Sequence, residues 1–302
     1  MAVITTGNHP AALWPGINSW FGRFYDQHPV EYTDLFEVSN SDQNFEKDVE
    51  TTGFGLAPVK AEGASVRYES ETQGYDYNYV HVAYALGYIV TEEEIDDNLY
   101  EQVSKTRAQA LAWSLRQTRE VISANVYNRA FDNAYTFGDG VELLATTHPS
   151  AAGLWANEPA AATDLSEAAL EDLLTQIMQA QNSKGLKINL MGKSLIVPPA
   201  LWWEANRIMK TVLQSDSANN DINVLKATGV LPDGIKMNHY LTDSDAWFVR
   251  TNCPNGMKAY DRKIKPFEMD NDFDTGNAKA KKYERYSQGG TDPRGLYGSP
   301  GA

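Results

Sequence analysis

The chain has 302 residues, 42% of them hydrophobic, with a net charge of −14 and a sequence pI near 4.8. That length allows one large domain or two modest ones, and the charge argues against a surface that reads DNA or binds an acidic membrane. The single cysteine, Cys253, excludes an internal disulfide, a multi-cysteine zinc site and an iron–sulfur cluster, and suits a reducing compartment.

The first residues, MAVITTGNHPAALWPG, lack the basic start and apolar core of a signal peptide, and no run approaches the ~18 apolar residues of a membrane span. The expectation is a soluble intracellular product. Trp14, Trp20, Phe21, Phe24 and Tyr25 lie among Pro10, Pro15, Pro29, Gly7, Gly16 and Gly22. Such punctuation predicts an extended arm, with a short helical piece near Ile17–Asp26, that packs on the fold or on a neighbouring subunit. The competing reading is an N-terminal element of the same core.

Residues 54–90 read as a long two-stranded ribbon. Val66 and Tyr68 alternate with Arg67 and Glu69, and Ser70–Gly74 is turn-like. Tyr75, Tyr77 and Tyr79 keep period two, after which Val80, Val82, Tyr84, Leu86, Tyr88 and Val90 continue on the opposite parity. The switch predicts a bulge or twist near Tyr79–Val80, or a strand covered on both faces. A return strand of about 15 residues would span ~50 Å. Its aromatic row needs a partner surface, which oligomerisation would supply.

From Thr91 to about Phe137 the pattern is helical. Ile95, Leu99, Val103, Ala110, Trp113, Val121, Ala124 and Phe131 form one stripe, with Arg107, Arg116, Arg119 and Arg129 elsewhere around it. Thr91 and Glu94 make a capping box, and Glu92, Glu93 and Glu94 suit the positive end of the helix dipole. About 40 residues would be ~60 Å long, a beam with something laid along it.

Residues 138–163 are a connection containing Gly and Pro. A second helix begins at Asp164 or Ser166, runs to about Asn182 and ends near Gly185. Leu186–Leu190 and Ser194–Val197 read as short buried strands, and Pro198–Pro199 opens a helix over Ala200–Leu213. Gln214–Asn223 reads as a loop, followed by strands Lys236–Leu241 and Ala246–Thr251 joined by Thr242–Asp245. This order makes residues 164–251 a compact α/β or α+β unit. Residues 252–302 return to extended structure, with a basic stripe of Lys279, Lys281, Lys282 and Arg285 interleaved with Tyr283 and Tyr286, and a turn-rich tail.

Catalytic chemistry finds no support. His9, His28, His81, His148 and His239 show no metal-ligand spacing, and none is near Cys253. Gly53-Phe54-Gly55 lacks the third glycine and following helix of a dinucleotide loop. Asp270, Asp272 and Asp274 start like a calcium loop, but Lys281 stands where the closing glutamate belongs, so a solvated acidic turn is the better reading. Capping accounts for Glu92–Glu94. Trp202–Trp203 could stack on a sugar, though a helix start with Trp202 in the core and Trp203 partly exposed is favoured. His148-Pro149 reads as a turn. The stripe Lys279–Arg285 reads as a solvated strand face or a subunit contact ahead of a nucleic-acid contact. No catalytic, cofactor-binding or metal-binding residue is assigned.

The order of parts carries more. Aromatic arm, ribbon, very long helix, discrete α/β unit and basic return strand together resemble the major capsid proteins of tailed bacteriophages, with the Hong Kong 97-type fold. Phe131–Ala134 (FDNA), Asp139–Leu144 (DGVELL) and Thr147–Pro149 (THP) are similar to the segment after the spine helix in Mu-like head proteins. Leu195–Leu201 (LIVPPAL), Leu241–Asp243 (LTD), Asp245–Val249 (DAWFV) and Asp292–Ser299 (DPRGLYGS) resemble further parts of that family.

The resemblance implies an α+β fold with an N-arm over 1–40, an extended β-hairpin E-loop and its flanking strands over 41–90, and a peripheral domain with the spine helix and connection over 91–163. An α/β axial domain would follow over 164–260, and 261–302 would return to the peripheral domain. It implies a non-enzymatic subunit of the virion capsid, assembled in the host cytoplasm into pentamers and hexamers of an icosahedral shell. Implied partners are other copies of the chain, a separate scaffolding protein, a portal and optionally a decoration protein. Packaged double-stranded DNA would lie nearby without specific contact, and no membrane is involved. Some relatives cross-link subunits through a Lys and an Asn; Lys60 lies in the ribbon, but no carboxylate arrangement marks a reaction site, and no covalent mesh is expected. The alternative within the fold is an encapsulin-like nanocompartment holding protein cargo, and a remote one is a carbohydrate-active enzyme.

Overall fold

The structure, a computed structural model, describes residues 21–302 apart from residues 24, 97–99, 214–220 and 273; at 95, 96, 100–105 and 271 only the backbone is described. Residues 1–20 of the expected arm therefore lie outside the described residues. A short helix, Tyr32–Leu35, leads to strands β1 (Glu37–Asn40), β2 (Phe45–Thr51), β3 (Gln73–Val80) and β4 (Val82–Val90). Helix Glu92–Asp96 and the long helix Tyr100–Asn128 come next, then β5 (His148–Ser150), β6 (Gly153–Trp155) and helix Glu167–Met178. Strand β7 (Gly192–Val197) precedes helices Trp202–Lys210 and Val224–Thr228, β8 (Ile235–Met237) and β9 (Trp247–Thr251). The chain closes with β10 (Met257–Ile264), β11 (Glu268–Asn271), β12 (Ala278–Gly290) and β13 (Leu296–Ser299).

Strand β12 organises the first sheet. β4 pairs antiparallel along one edge of it, from Ala278↔Val90 to Tyr286↔Val82, while β11 and β10 share the other edge and β1 adds parallel to β10. The second sheet runs β13-β9-β7-β8, antiparallel except for the β7–β8 pair. Its strand β7 is buried on both faces, which is why Ser194–Val197 reads as a continuous apolar run. Leu195 and Val197 meet Leu170, Leu173, Leu174 and Ile177 of helix Glu167–Met178. Ile196 and Phe248 meet Tyr127 of the long helix and Met257 and Ala259 of the first sheet. That second cluster joins the two sheets.

The long helix stops at Asn128, short of the expected Phe137. No Pro or Gly ends it; side chains do. Asn128 accepts from the Thr242 N–H and donates to the Tyr240 carbonyl, and Asp132 accepts from the Ala134 N–H. These short polar groups offer the backbone partners that compete with the helix ladder. Of the expected stripe, the side chains of Ile95, Leu99 and Val103 lie outside the described residues and Ala124 is buried as expected, but the rest of the buried face is different. Ala108, Leu111, Ala112, Leu115, Ala124 and Tyr127 are buried with Arg116, Arg119 and Glu120, whereas Ala110, Trp113 and Val121 face outward. Arg119, 1% exposed, lies 2.5 Å from Asp261 and sits over the Tyr32 ring, so its charge is satisfied inside. Glu120 accepts the Glu31 and Tyr32 amides and so fastens the short helix to the long one.

Four further expectations change. The outgoing ribbon strand is β2, over 45–51 and not 54–69, because Gly53 and Gly63 take positive φ and break the extended run. The parity switch near Tyr79–Val80 is a strand break at His81, whose ring bonds Ser41 and Ser287. Leu186–Leu190 forms no strand; it turns back after Gly185, with an isolated bridge Gln181↔Lys187. Finally, β13 belongs to the second sheet, so the last forty residues do not all return to the first.

Candidate assembly site

The ribbon β2–β3 projects from the junction of the two sheets, and polar side chains fix its root. Asp48 Oδ2 accepts from Lys258 Nζ at 2.8 Å and from Thr291 Oγ1 at 2.8 Å, and Thr291 Oγ1 lies 2.6 Å from the Tyr79 hydroxyl. Burial alone would lower the Lys258 pKa; the hydrogen bond and charge of Asp48 outweigh it and leave it raised. Two residues on, Glu50 points the same way. It accepts from the Ser183 hydroxyl and lies 3.8 Å from the Arg294 guanidinium. Gly74, opposite on β3, leaves the Glu50 carboxylate its room, since a Cβ there would lie 2.5 Å from it and push it aside. One ribbon strand is thus tied to the first sheet through Asp48 and to the second unit through Glu50.

The tyrosine row does not await a neighbour. Tyr79 is 1% exposed, Tyr77 stacks on Phe137 at 5.3 Å, and the Tyr75 ring lies against Gly138. Phe45, Val49 and Val80 stay exposed along the strands, and the most exposed apolar side chains lie at the tip. Residues 52–72 form a loop closed at its base by the Thr52–Thr72 hydroxyl pair and by the Glu69 carboxylate, which accepts the Gly55 N–H at 2.8 Å. Phe54, Leu56, Val59, Val66 and Tyr68 are 60, 79, 100, 59 and 91% exposed. The loop surrounds an open recess of about 570 Å³ lined by residues between Phe54 and Glu69. A cluster of large apolar side chains in water on a stiffly rooted projection fits contact with another surface, not catalysis.

The other sequence candidates disperse. Lys60 lies on the tip. In the stripe, Lys279 pairs with Asp272, Lys281 with Glu268, Arg285 donates to Asn44 and the His81 carbonyl, and Lys282 is buried with its Nζ on the Lys265 carbonyl. Asp272 is spent on Lys279 and on the local turn, and its pKa is lowered chiefly by the Lys279 hydrogen bond. Trp202 packs on the core cluster of Leu170, Leu195 and Val197 while Trp203 is 74% exposed. The Glu94 N–H meets Thr91 Oγ1 at 3.4 Å, as the cap requires. His148 is not in a solvated turn. It is fully buried, 2.6 Å from Asp139 and stacked on Trp155, and its Nε2 donates to Asn157. Sequence reasoning missed Asp48, Glu50, Asn157 and Arg294. Only the alternation of Lys47, Asp48, Val49 and Glu50 hinted at a strand there.

A family model described as phage capsid protein matches residues 75–299. Two solved capsids share the fold. The capsid of the native GTA particle aligns with a TM-score of 0.52 at 12% identity, over 89% of this chain and 88% of that one. The capsid of Myoviridae phage XM1 aligns at 0.51 and 11% identity, over 91% and 94%. A virus-like particle protein from Pyrococcus furiosus aligns at 0.49 and 11% identity, over 94% and 97%. No curated protein matches the chain. With the family match running from the ribbon's return strand to the last strand of the second sheet, this chain belongs to the phage capsid protein family, a major capsid protein of the virion shell with the Hong Kong 97-type fold.

Proposed function

We propose that the chain assembles into pentamers and hexamers of an icosahedral head around double-stranded DNA, and that the ribbon tip makes a principal contact between copies. The observation that carries this is the pairing of a clamped root with an uncovered apolar tip. Its division of labour would be an arm over 1–40, the ribbon and flanking strands over 41–90, a peripheral part over 91–163 completed by 261–302 except for β13, and an axial part over 164–260 that β13 joins. Scaffolding is supplied by a separate protein, with a portal and a decoration protein as further partners, and assembly takes place in the host cytoplasm. The affinity to Mu-like heads rests on the motifs between Phe131 and Pro149. The protein performs no catalysis and forms no covalent mesh. The net charge of −14 supports a wall that repels DNA and does not grip it.

The test is co-expression with the scaffolding protein, followed by sedimentation and negative-stain microscopy. Closed shells should form with the wild-type chain, and Leu56→Asp with Val59→Asp should leave folded subunits that fail to close. Wild-type subunits that stay monomeric under these conditions would refute the proposal. Particles holding protein in place of nucleic acid would support the nanocompartment reading.

A further inference from the structure

The ribbon root holds a charge imbalance. Glu50 on β2 and Asp292 before the last turn both face Arg294, at 3.8 and 3.3 Å. Arg294 is otherwise committed, with Nε donating to the Gln181 carbonyl at 2.8 Å and its plane 4.4 Å over the Trp155 ring. The remaining groups around the pair offer no second cation among the described residues. Asp139 of the connection is held by His148, and Lys184, next to Ser183, lies 3.9 Å from Glu69. Cys253 donates its thiol to Asp292. Tyr75, on the facing strand, buries its hydroxyl without a hydrogen-bond partner. The Asp48 clamp is different in kind, for there one carboxylate meets one ammonium.

We infer that the ribbon root is a proton-operated joint, in which uptake of a proton by Glu50 leaves Arg294 to Asp292 alone and closes the ribbon onto the second unit. Two carboxylates on one guanidinium inside the protein repel each other, and one of them is relieved by protonation. The protonated Glu50 keeps an acceptor oxygen for Ser183 and gains a donor among acceptors. Burial, then the charge of Asp292, raises the Glu50 pKa above its ordinary 4.5, against the lowering by Ser183 and Arg294. A carboxyl with a raised folded-state pKa binds protons better folded than unfolded. The closed root therefore gains stability as pH falls towards 4.5 and loses it as pH rises through the raised value. The joint is independent of what the tip touches, so it can hold or fail separately from the assembly proposal.

Amide exchange in residues 45–51 and 73–80 of the unassembled full chain tests this, with rates corrected for the intrinsic pH effect. Between pH ~7.5 and ~4.5 the wild-type ribbon should slow about twofold or more, and E50Q should be slow at both. D48N, which removes a one-to-one pair, should exchange faster at both. E50Q exchanging faster than wild type near neutrality, or failing to fold, would make Glu50 an ordinary ion-pair partner and overturn the joint. A pH-independent wild-type ribbon would do the same, and so would a D48N ribbon that tightens, since general relief of negative charge would then explain everything.

Discussion

Asn157 is the residue on which removal of one side chain should cost most for its size. It is fully buried, and its amide is saturated. Oδ1 accepts the Ala145 N–H at 2.8 Å and His148 Nε2 at 3.0 Å, while Nδ2 faces the carbonyls of Leu143 at 2.8 Å, Pro293 at 3.1 Å and Leu296 at 3.2 Å. These bonds tie the connection after the long helix to the last turn of the chain. Asn157→Ala strands two donors and the carbonyls that the amide served. At about 1 kcal/mol per bond lost and ~1–3 kcal/mol for each group left unpaired in the interior, and without assuming additivity, the loss should be about 3–5 kcal/mol. In a chain of this size that corresponds to a melting point lower by roughly 6–15 °C. Asn157→Asp keeps the shape but turns a second acceptor towards three carbonyls, so it should be worse than Ala. Thermal and denaturant unfolding of the unassembled subunit measures both. An alanine variant within about 1 kcal/mol of wild type, or an aspartate variant milder than the alanine one, would refute the reasoning.

Other expectations follow from exposure and packing. Leu115→Ala, in the face of the long helix that packs on the first sheet, should cost about 2–4 kcal/mol in denaturant unfolding, whereas Trp113→Ala on the outward face should cost under ~1 kcal/mol. The reverse order would mean that the helix is turned the other way. Gly192→Ala would place a Cβ 2.8 Å from both Leu174 Cδ2 and Leu231 Cδ2, and overpacking should cost about 1–3 kcal/mol in the same measurement. Lys282→Met should cost more than ~2 kcal/mol near neutral pH, because it takes away the ammonium that lies 3.8 Å from the buried Glu284 carboxylate. The ammonium is buried against Phe21 and Tyr25, and its pKa is lowered first by that burial. A variant as stable as wild type would show that desolvation of the ammonium cancels what its pairing with Glu284 and its bond to the Lys265 carbonyl return.

The long helix shows how far one-dimensional pattern reaches. Its existence, and the cap at Thr91 of the short helix Glu92–Asp96 before it, follow from spacing and local hydrogen bonding, which are properties of neighbours in the chain. Which side of it is buried does not. Two apolar stripes compete, and the winner carries Arg119 and Glu120 because Asp261, Tyr32 and the amides of Glu31 and Tyr32 come from far along the chain to meet them, while Arg116 lies over the Tyr25 ring. The ribbon repeats the lesson. Its tyrosines keep a clear period of two, yet the same period fits a row covered by a neighbour and a row covered by Phe137 and Gly289 of the same chain.

By itself, the order of segments determined the kind of molecule: arm, ribbon, long helix, compact α/β unit and extended return, all readable because periodicity, glycines and prolines act locally. The tertiary structure alone decided where the clamps and the open surface lie. Asp48 and Lys258 are 210 positions apart and Arg294 is still further from Glu50, and no local rule can pair charges at that separation. The tip became the candidate site because the ribbon's tyrosines had found a cover in the same chain while its own apolar side chains, up to the fully exposed Val59, had none.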